Sequence, residues 1–592
     1  MAGGMAMDPS APRKVYKGHL TPYVIFSCIV AASGGALFGY DNGVTGGVVS
    51  MPGFLEKFFP SVAAATEAAK DQPGDLYCQY NNQALQWFTS SLFIAGMFAS
   101  IPAAYTTRHY GRKATMLIAG IFFDIGALLL AASANLVMLY IGRIFLGVGV
   151  AFASVAVTLY NSEMAPAHMR GRLNQIFQVV LTLGILVAQS INIGMDHVYP
   201  WGWRLSLGLA AMPAIVLTLG GIFLPDTPNS LIERGYLQEG RQVLADIRGI
   251  SFGDVEEEFN DIVSAVETSK KVKHPWRTIV RPRYRPQLVL AIAATFFQQW
   301  TGINTIIFYA PQLFVSLGVG QKEALVATIV TGIVNHFSTY ISLFVADHSG
   351  RRPLLLQGGC QMLVSLAIIA GVLANTDSGA QLWVPWFILV IVCFFIAAYA
   401  WSWGPLGWLY PSEIQPLETR GAGQGIATLV NLMFSFVIGQ TYLSMLCKFQ
   451  WGIFLFFGGF VLAMTFFVYF FMPETKGIPI EEVPFIFKSH WFWKRYANLP
   501  DPDALQEQTM RMQMLSDFDY PVSRQSADGL GLQDDYGALA DAVEGGAASG
   551  SKPSEAHKDA GRMSVEGVNT PEDRKKLMQS RIDSAQFFDE EL

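Results

Sequence analysis

The sequence predicts an all-α polytopic membrane protein whose twelve transmembrane helices form two six-helix halves. Of its 592 residues, 52% are hydrophobic and 15% are charged, whereas an average soluble domain carries about 25% charged residues. Apolar runs of about 20 residues, each long enough to cross a hydrocarbon core about 30 Å thick, recur from Thr21 to Met472. Short motifs also repeat between the two halves of the chain. This composition excludes a soluble globular enzyme.

The apolar runs set the order of the predicted spans. They lie at 22–49, 84–105, 114–134, 136–160, 175–195, 203–224, 287–316, 323–346, 353–375, 384–410, 422–445 and 451–472. Around them the chain divides into a cytosolic N-terminal segment, a first half, a linker of short helices, a second half, a cytosolic flank and an acidic tail. The predicted boundaries are 1–21, 22–224, 225–286, 287–472, 473–500 and 501–592.

The flanking charges predict the orientation of these spans. With both termini on the cytosolic side, the inner connections up to residue 500 contain 25 Lys/Arg and the outer connections contain five. Short cytoplasmic loops of membrane proteins carry such an excess of Lys and Arg. We therefore expect both termini in the cytoplasm and the long loop at about 50–83 outside. The tail, with 19 Asp/Glu, 9 Lys/Arg and little apolar periodicity, is expected to be disordered.

Three motifs recur between the halves, at offsets of 239, 250 and 248 residues. The pairs are Tyr110-Gly-Arg-Lys113 with Ser349-Gly-Arg-Arg352, Glu163 and Arg170-Gly171 with Glu413 and Arg420-Gly421, and Pro225-Asp-Thr-Pro228 with Pro473-Glu-Thr475. Parallel six-helix repeats are the organisation of transporters that bind substrate at the midplane between their halves. The repeats therefore indicate a carrier with the major facilitator fold.

Six motifs, taken in order, resemble those of the sugar porters of the major facilitator superfamily. They are Gly39-Tyr-Asp-Asn-Gly43, Gly142-Arg143, Pro225-Asp-Thr-Pro228, Gln298-Gln-Trp-Thr-Gly-Ile-Asn304, Gly404-Pro-Leu-Gly-Trp408 and Pro473-Glu-Thr-Lys-Gly477. Over residues 20–495 the chain is most similar to the plant and algal monosaccharide/proton symporters, the algal hexose carriers above all. The resemblance implies a proton-coupled symporter that imports a hexose such as glucose across the plasma membrane. Its partners would be the monosaccharide, the proton and the lipid bilayer, with no nucleic acid, no cofactor, no metal and no enzyme activity.

Asp41 is a carboxylate inside the first span, where an unpaired charge costs about 2.5–3.5 kcal/mol. It should therefore face a cavity or a partner, and Arg143 in the fourth span is the counter-ion. Four glycines spaced four residues apart, from Gly35 to Gly47, predict close approach of another helix on a different face of the same span. The resemblance implies that Asp41 accepts the proton and that Arg143 is its partner. The alternative is a fixed ion pair that only assembles the helices.

Polar side chains in the seventh span suit a neutral sugar, because amides and hydroxyls both donate and accept hydrogen bonds. They are Gln298, Gln299, Thr301 and Asn304. The alternative is that they only bond neighbouring helices. The resemblance adds substrate contacts at Gln178, Asn335, Trp408 and Asn431, with Phe38 and Ser435 as weaker members. An indole face stacks well on the C–H face of a pyranose.

The tenth span contains Gly404, Pro405, Gly407 and Pro411, which predict a kinked helix that either gates the cavity or is purely structural. At the cytosolic ends, charged residues have signs suited to salt-bridge clusters that lock the outward-facing state; the alternative is that they only set the topology. They are Arg108, Arg112, Glu163, Arg170, Asp347, Arg351, Arg352, Glu413 and Arg420.

Several residues depart from the family pattern. Thr107 stands where an acid is common, and Asp226 replaces a Glu. Asp124 and His336 have no family counterpart. For both we expect an interhelical hydrogen bond, or a side chain that faces the cavity without a function, rather than a role in proton coupling. The role of Asn42 stays open.

The five cysteines show no metal-ligand spacing, and Cys78 and Cys447 are the two in polar connections, both predicted to lie outside. The similar plant symporters join cysteines at matching positions. The resemblance therefore implies a disulfide that ties the outer lid, about 50–83, to the second half. Two unrelated free thiols are the alternative.

Two other functions also fit the sequence. An equilibrative sugar facilitator would use Asp41 only structurally, and a sugar-evoked inward current would separate it from a symporter. A sugar receptor on a transporter scaffold is suggested by the long acidic tail. Deletion of 501–592 would abolish signalling by such a receptor and leave uptake by a carrier largely intact.

Overall fold

A computed structural model gives the structure of the protein at residues 19, 21–71, 78, 80–166, 169–270, 275–316, 319–375, 383–416, 418–476 and 483–497. The regular structure of these residues is helical throughout, as predicted. The predicted acidic tail and most of the predicted N-terminal segment lie outside the described residues.

The first half contains helices whose starts are marked by polar caps. Thr21, Asn82 and Asn135 each precede a helix, and the side-chain oxygen of each accepts a hydrogen bond from a backbone N–H of its first turn. The helices are α1 (Pro22–Val48), α2 (Pro52–Phe58), α3 (Pro60–Asp71), α4 (Gln83–His109), α5 (Arg112–Ala131), α6 (Leu136–Met164), α7 (Arg170–Asp196), α8 (Gly202–Gly208) and α9 (Ala211–Phe223).

The linker folds into short helices, of which α11 contacts the first half and α13 contacts the second. They are α10 (Pro228–Glu233), α11 (Leu237–Arg248), α12 (Phe252–Lys270), α13 (Pro275–Thr278) and a 3₁₀ helix (Pro282–Tyr284). Arg248 donates to the Met164 carbonyl oxygen at 3.0 Å and pairs with Glu258 at 2.8 Å. The guanidinium thereby satisfies a carbonyl at the end of α6, where the helix itself provides no donor.

The second half continues with longer helices and ends in two short ones. They are α14 (Arg285–Trp300), α15 (Ile303–Ser316), α16 (Gln321–Ser349), α17 (Arg351–Ala374), α18 (Val384–Trp401), α19 (Trp403–Ile414), α20 (Arg420–Phe449), α21 (Gly452–Phe471), α22 (Val483–Ser489) and α23 (Lys494–Ala497).

Eleven helical segments among the described residues are long and apolar enough to cross a membrane. The seventh predicted span, 287–316, is divided between α14 and α15, of 16 and 14 residues. The break includes Gly302, whose φ of +84° favours glycine and whose missing side chain leaves room for the Phe457 ring. The protein is therefore a multi-pass membrane protein of the predicted fold class, with a broken seventh span.

The glycine stripe of α1 packs directly against α7. A Cβ at Gly43 would lie 2.6 Å from the Ile185 carbonyl oxygen, and a Cβ at Gly39 would meet the Leu181 oxygen more closely still. Only glycine permits the two backbones to approach so closely. This contact fixes the rotation of α1 and turns Asp41 away from α7.

The predicted outer loop, 50–83, contains two helices, α2 and α3, where the sequence predicted only a loop. They begin at Pro52 and Pro60, where a missing N–H breaks no helical bond. The Phe54 ring lies 5.6 Å from the Trp203 ring of α8, so this lid rests on the first half.

Candidate functional site

A buried ion pair joins α1 and α6. The Asp41 carboxylate accepts a hydrogen bond from Arg143 Nη1, and Arg143 Nη2 donates to Thr45 Oγ1 at 2.7 Å. Thr45 follows Asp41 by one helical turn and donates to the Asp41 carbonyl oxygen at 2.7 Å. Asp41 is 2% exposed and Arg143 is 0% exposed. The pair is therefore shielded from bulk solvent in this conformation.

The Phe88 ring covers the guanidinium, with Arg143 Cζ 4.1 Å from the ring centroid. A cation is attracted to an aromatic face, so Arg143 keeps a favourable contact that does not depend on Asp41. An arginine does not give up its proton, whereas a carboxylate can gain one. Asp41 is thus the titratable member of the pair, and protonation would remove its attraction for Arg143.

Gln298 connects α14 with α19 and α20 through its side-chain amide. Its Nε2 donates to the carbonyl oxygens of Trp403 and Gly404 at 3.0 Å each, and its Oε1 accepts from Asn431 Nδ2 at 2.9 Å. Gln298 therefore makes interhelical bonds of the kind that the structural alternative requires.

The predicted kink in the tenth span is an interruption at Ser402, between α18 and α19. Ser402 has φ −120° and ψ −89°, outside the helical region. Pro405 falls in the first turn of α19, where its missing N–H breaks no helical bond, and Pro411 lies inside that helix. The break thus precedes the glycines and prolines that predicted it.

Asn304 and Gln299 lie on either side of the seventh-span break. Asn304 Nδ2 donates to Gln299 Oε1 and lies 3.4 Å from Ser435 Oγ, which donates to the Asn431 carbonyl oxygen at 2.9 Å. The Thr301 hydroxyl bonds back to its own helix. Four of the predicted sugar contacts therefore meet where α14 and α15 face α20.

Three predicted contacts present side-chain oxygens without a partner. Gln178 Oε1, Asn335 Oδ1 and Asn431 Oδ1 are buried and accept no hydrogen bond among the described residues. A Cβ on Gly404 would lie 3.3 Å from Gln178 Nε2, so Gln178 contacts α19 across the halves. Buried acceptors are normally paired, and sugar hydroxyls are donors that suit them.

Trp408 lies edge-on against two rings of the first half. Its ring centroid is 6.4 Å from that of Phe38 and 5.9 Å from that of Phe177. The structure thus brings the predicted aromatic residues Phe38 and Trp408 together where α1 and α7 meet α19. Aromatic surface beside amides is a suitable surround for a pyranose ring.

A cluster of charged residues lies at the predicted cytosolic end of the first half. Arg112 pairs with Glu163 at 2.8 Å and with Glu233 at 3.1 Å. Glu163 also accepts from the Thr227 hydroxyl at 2.5 Å, and Asp226 accepts from the Arg112 backbone N–H at 3.2 Å. These five residues form the first cluster.

The second half repeats this arrangement. Arg351 pairs with Glu413 at 2.8 Å and with Asp347 at 3.0 Å. Glu413 accepts from the Thr475 hydroxyl at 3.0 Å, and Glu474 accepts from the Arg351 backbone N–H at 2.9 Å. These five residues form the second cluster. The repeat seen in the sequence is therefore a repeat of hydrogen bonds.

Two predicted cluster residues contact the opposite half. Asp347 Oδ2 lies 3.3 Å from Arg172 Nε of α7, and Arg420 Nη2 donates to Ser162 Oγ of α6 at 2.8 Å. Both contacts hold the halves together at the predicted cytosolic side.

The other predicted cluster residues have different surroundings. Arg108 pairs with Glu233 at 3.6 Å, and Arg352 donates to the Tyr469 carbonyl oxygen at 2.5 Å. The Arg170 side chain lies outside the described part of the structure.

Cys78 and Cys447 form a disulfide, with a Cα–Cα distance of 4.6 Å and a sequence separation of 369. The predicted bridge is confirmed, and the alternative of two free thiols is wrong. Beside it, Ser444 Oγ of α20 donates to Asn81 Oδ1 at 2.9 Å. A covalent bond and hydrogen bonds therefore tie the end of the lid to the second half.

The residues without a family counterpart make interhelical contacts. Asp124 accepts from the Thr218 hydroxyl at 3.2 Å, between α5 and α9. His336 Nδ1 lies 3.1 Å from Thr182 Oγ1, between α16 and α7. Asn42 Oδ1 is buried and has no partner within the described residues.

Sequence reasoning missed Thr45, Phe88 and Arg172. Thr45 gave a usable signal, because a hydroxyl four residues after a membrane carboxylate lies on the same helix face. Arg172 also gave a signal, because it directly follows the repeated Arg170-Gly171. Phe88 gave no signal, since one aromatic residue in an apolar span is usually packing.

Comparison with known proteins places this chain among transporters. The family model described as sugar (and other) transporter matches residues 27–487. Sugar transport protein MST4 of Oryza sativa subsp. japonica is 52% identical over 506 residues, which are 85% of this chain and 97% of that protein. Sugar transport protein 13 of Arabidopsis thaliana is 53% identical over 504 residues, 84% of this chain and 95% of that protein.

A solved structure shares the fold. The proton:xylose symporter XylE bound to 6-bromo-6-deoxy-D-glucose superposes with a TM-score of 0.67 at 24% identity, covering 78% of this chain and 99% of that one. At this identity the likeness supports the major facilitator fold.

Proposed function

This chain belongs to the sugar (and other) transporter family, and on that premise we propose that it imports a hexose such as glucose together with a proton, by alternating access. It is a carrier and not an enzyme. The observation that carries the proposal is the buried pair of Asp41 and Arg143. A carboxylate inside a membrane span marks a functional pathway by default. Here one arginine holds the charged carboxylate, and the Thr45 hydroxyl accepts a hydrogen bond from that arginine.

The proposed sugar site consists of amides, a hydroxyl and aromatic rings from both halves. We call it the central site, and it contains Gln178, Gln298, Gln299, Asn304, Asn335, Trp408, Asn431, Phe38 and Ser435. The side-chain oxygens of Gln178, Asn335 and Asn431 would accept hydrogen bonds from sugar hydroxyls. Gln298 would act mainly by holding the start of α19, and hence Trp408, in place.

The two clusters form the proposed cytosolic gate. Arg172 with Asp347, and Arg420 with Ser162, join the halves, and these contacts must break for sugar to leave on that side. The bonds among the five residues of each cluster would keep the helices on that side of the molecule together as they move. We propose that this gate stabilises the outward-facing state.

The proposed membrane is the plasma membrane, with both termini in the cytoplasm. A tenfold proton gradient is worth about 1.4 kcal/mol, and 100 mV of potential is worth about 2.3 kcal/mol per charge. Together, about 3.7 kcal/mol would support about 500-fold accumulation at one proton per sugar.

Uptake of radiolabelled D-glucose at two outer pH values, with competing sugars and with current recorded, tests the proposal. We expect accumulation that rises as the outer pH falls, with an inward current evoked by sugar. Uptake that only equilibrates and carries no current would identify an equilibrative facilitator instead.

A further inference from the structure

A second group of buried polar side chains has no use in the proposed central site. Asn161 of α6 and Gln175 of α7 are 0% and 3% exposed, and neither the oxygen nor the nitrogen of either amide has a hydrogen-bond partner among the described residues. Gln424 Oε1 and Thr428 Oγ1 of α20 are likewise buried and unpartnered. Buried polar groups are normally hydrogen-bonded, so four in one region require an explanation.

Helical spacing places these groups next to the central site. Gln175 precedes Gln178 by three residues on α7, and Thr428 precedes Asn431 by three residues on α20. Each therefore shares a face with a central-site residue and lies about one turn nearer the predicted cytosolic side. Gln424 lies one further turn along the same face of α20.

Contacts between the halves place Asn161 beside these residues. Gln424 Nε2 donates to Thr158 Oγ1 at 3.3 Å, and Arg420 Nη2 donates to Ser162 Oγ at 2.8 Å. Thr158 and Ser162 stand on either side of Asn161 in the sequence of α6. Because Asn161 follows Thr158 by three residues, it lies on the side of α6 that meets α20.

The hydroxyl of Thr428 is unusual for its setting. Thr158 and Thr182, on neighbouring helices, donate to carbonyl oxygens of their own helices at 2.9 Å, whereas Thr428 Oγ1 makes no such bond. Gln175 follows Asn174, whose Nδ2 donates to Ser412 Oγ of α19 at 3.2 Å. The group thus lies where α6, α7, α19 and α20 converge, and its members are neutral donors and acceptors.

We propose that Asn161, Gln175, Gln424 and Thr428 form an exit subsite, which receives the sugar from the central site when the cytosolic contacts between the halves open. The inference rests on the proposed function. Opening separates Gln424 Nε2 from Thr158 and so adds a free donor to acceptors that are already unpartnered. Amides and hydroxyls are uncharged donors and acceptors, which suit the hydroxyls of an uncharged monosaccharide and require no counter-ion.

Transport measured separately from each side tests the subsite. Purified protein is reconstituted in vesicles in one orientation, at equal pH on both sides, and the half-saturation concentrations for influx and efflux of radiolabelled D-glucose are compared. For Gln175→Ala and for the isosteric Thr428→Val we expect the half-saturation concentration on the cytosolic side, measured in efflux, to rise about 5- to 20-fold. The outer-side value should stay within about twofold, because the central site is unchanged.

Matched controls separate this effect from general damage. Gln189 is a buried amide on α7 with an unpartnered Oε1, fourteen residues from Gln175 towards the opposite end, and Gln189→Ala should leave the cytosolic-side value unchanged. Thr428→Ser keeps the hydroxyl and should restore the wild-type value, whereas Asn431→Ala should raise the values on both sides.

Equal changes on both sides in Thr428→Val, or no change on either side, would overturn the exit subsite while wild-type transport stands. Wild-type protein that carries no D-glucose in either direction would overturn the proposed function and the subsite with it. If Gln175→Ala does not yield folded protein, the pair Thr428→Val and Thr428→Ser decides alone.

Discussion

The two halves share a charged cluster almost bond for bond at the predicted cytosolic side, yet they differ within the membrane. Arg112 and Glu163 lie 2.8 Å apart in one half, as do Arg351 and Glu413 in the other. Inside the membrane, the first half holds the ion pair of Asp41 with Arg143, whereas the second half holds two broken spans and most of the amides. The repeat therefore covers the proposed gate, while the proposed proton-coupling and sugar-binding residues are divided between the halves.

The clusters also differ in their surroundings. The Glu163 side chain is 3% exposed and the Glu413 side chain is 22% exposed. The first cluster takes Glu233 from the linker, whereas Asp347 of the second reaches across to Arg172 of the opposite half. The first cluster is thus the more buried, and the second is the one that connects the halves.

Removal of the carboxylate from the first half should have the largest effect. Asp41→Asn has no proton to release, so accumulation of up to about 500-fold should fall to simple equilibration, while sugar exchange persists. Uptake and exchange of radiolabelled glucose at acidic outer pH measure both. Asp124→Asn, at a carboxylate within another span that accepts a hydrogen bond from Thr218, should accumulate normally. Proton-driven accumulation by Asp41→Asn would contradict the coupling role.

Loss of amides from the second half should reduce affinity without abolishing coupling. Removal of a sugar partner leaves a hydroxyl unpaired at about 1–3 kcal/mol, so Asn304→Ala and Asn335→Ala should each raise the half-saturation concentration about 5- to 150-fold. Gln298→Ala should raise it as well, because the start of α19, and with it Trp408, loses its support. Gln298→Ala should also lower the thermal midpoint, because three bonds between helices are lost. Asn335→Ala, whose oxygen has no partner among the described residues, should leave the midpoint nearly unchanged. Normal affinity in all three well-folded variants would favour the structural role.

The two clusters should respond unequally to the same change. Arg112→Ala removes the arginine that neutralises the buried Glu163 carboxylate, which should cost about 3–5 kcal/mol of stability. Arg351→Ala should cost less, since water reaches Glu413. Arg108→Ala, which breaks a longer and more exposed pair, should cost about 0–1 kcal/mol. Thermal unfolding of the purified variants measures how much stability each one loses. Equal losses of stability for Arg112→Ala and Arg351→Ala would show that burial does not distinguish the clusters.

The sequence predicts those features of the two halves that depend on local spacing, and it does not predict those that depend on distant contacts. Span lengths, the glycine stripe of α1 and the paired motifs depend on local spacing, so they predicted the fold and the partners Asp41 and Arg143. The break at Ser402, the helices within the lid and the contact of Arg172 with Asp347 depend on neighbours distant in the sequence. The sequence predicted Gln298 and Asn304 as members of one sugar-binding set. The structure separates them, because Gln298 bonds α19 whereas Asn304 faces Ser435.

The smallest effect should come from the bond that joins the lid of the first half to α20 of the second. Water that reaches the Asp41 and Arg143 pair favours the charged carboxylate, so fewer carriers would hold a proton when outer protons are scarce. Cys78→Ala and Cys447→Ala should therefore weaken glucose uptake a few-fold, mostly at alkaline outer pH. The double variant should be no worse than either single one, because each removes the same bond. Cys393→Ala, at a free and half-buried thiol of α18, should have no effect at any pH. Strictly additive losses in the double variant would show that the two cysteines act separately and that the disulfide does not shield the ion pair.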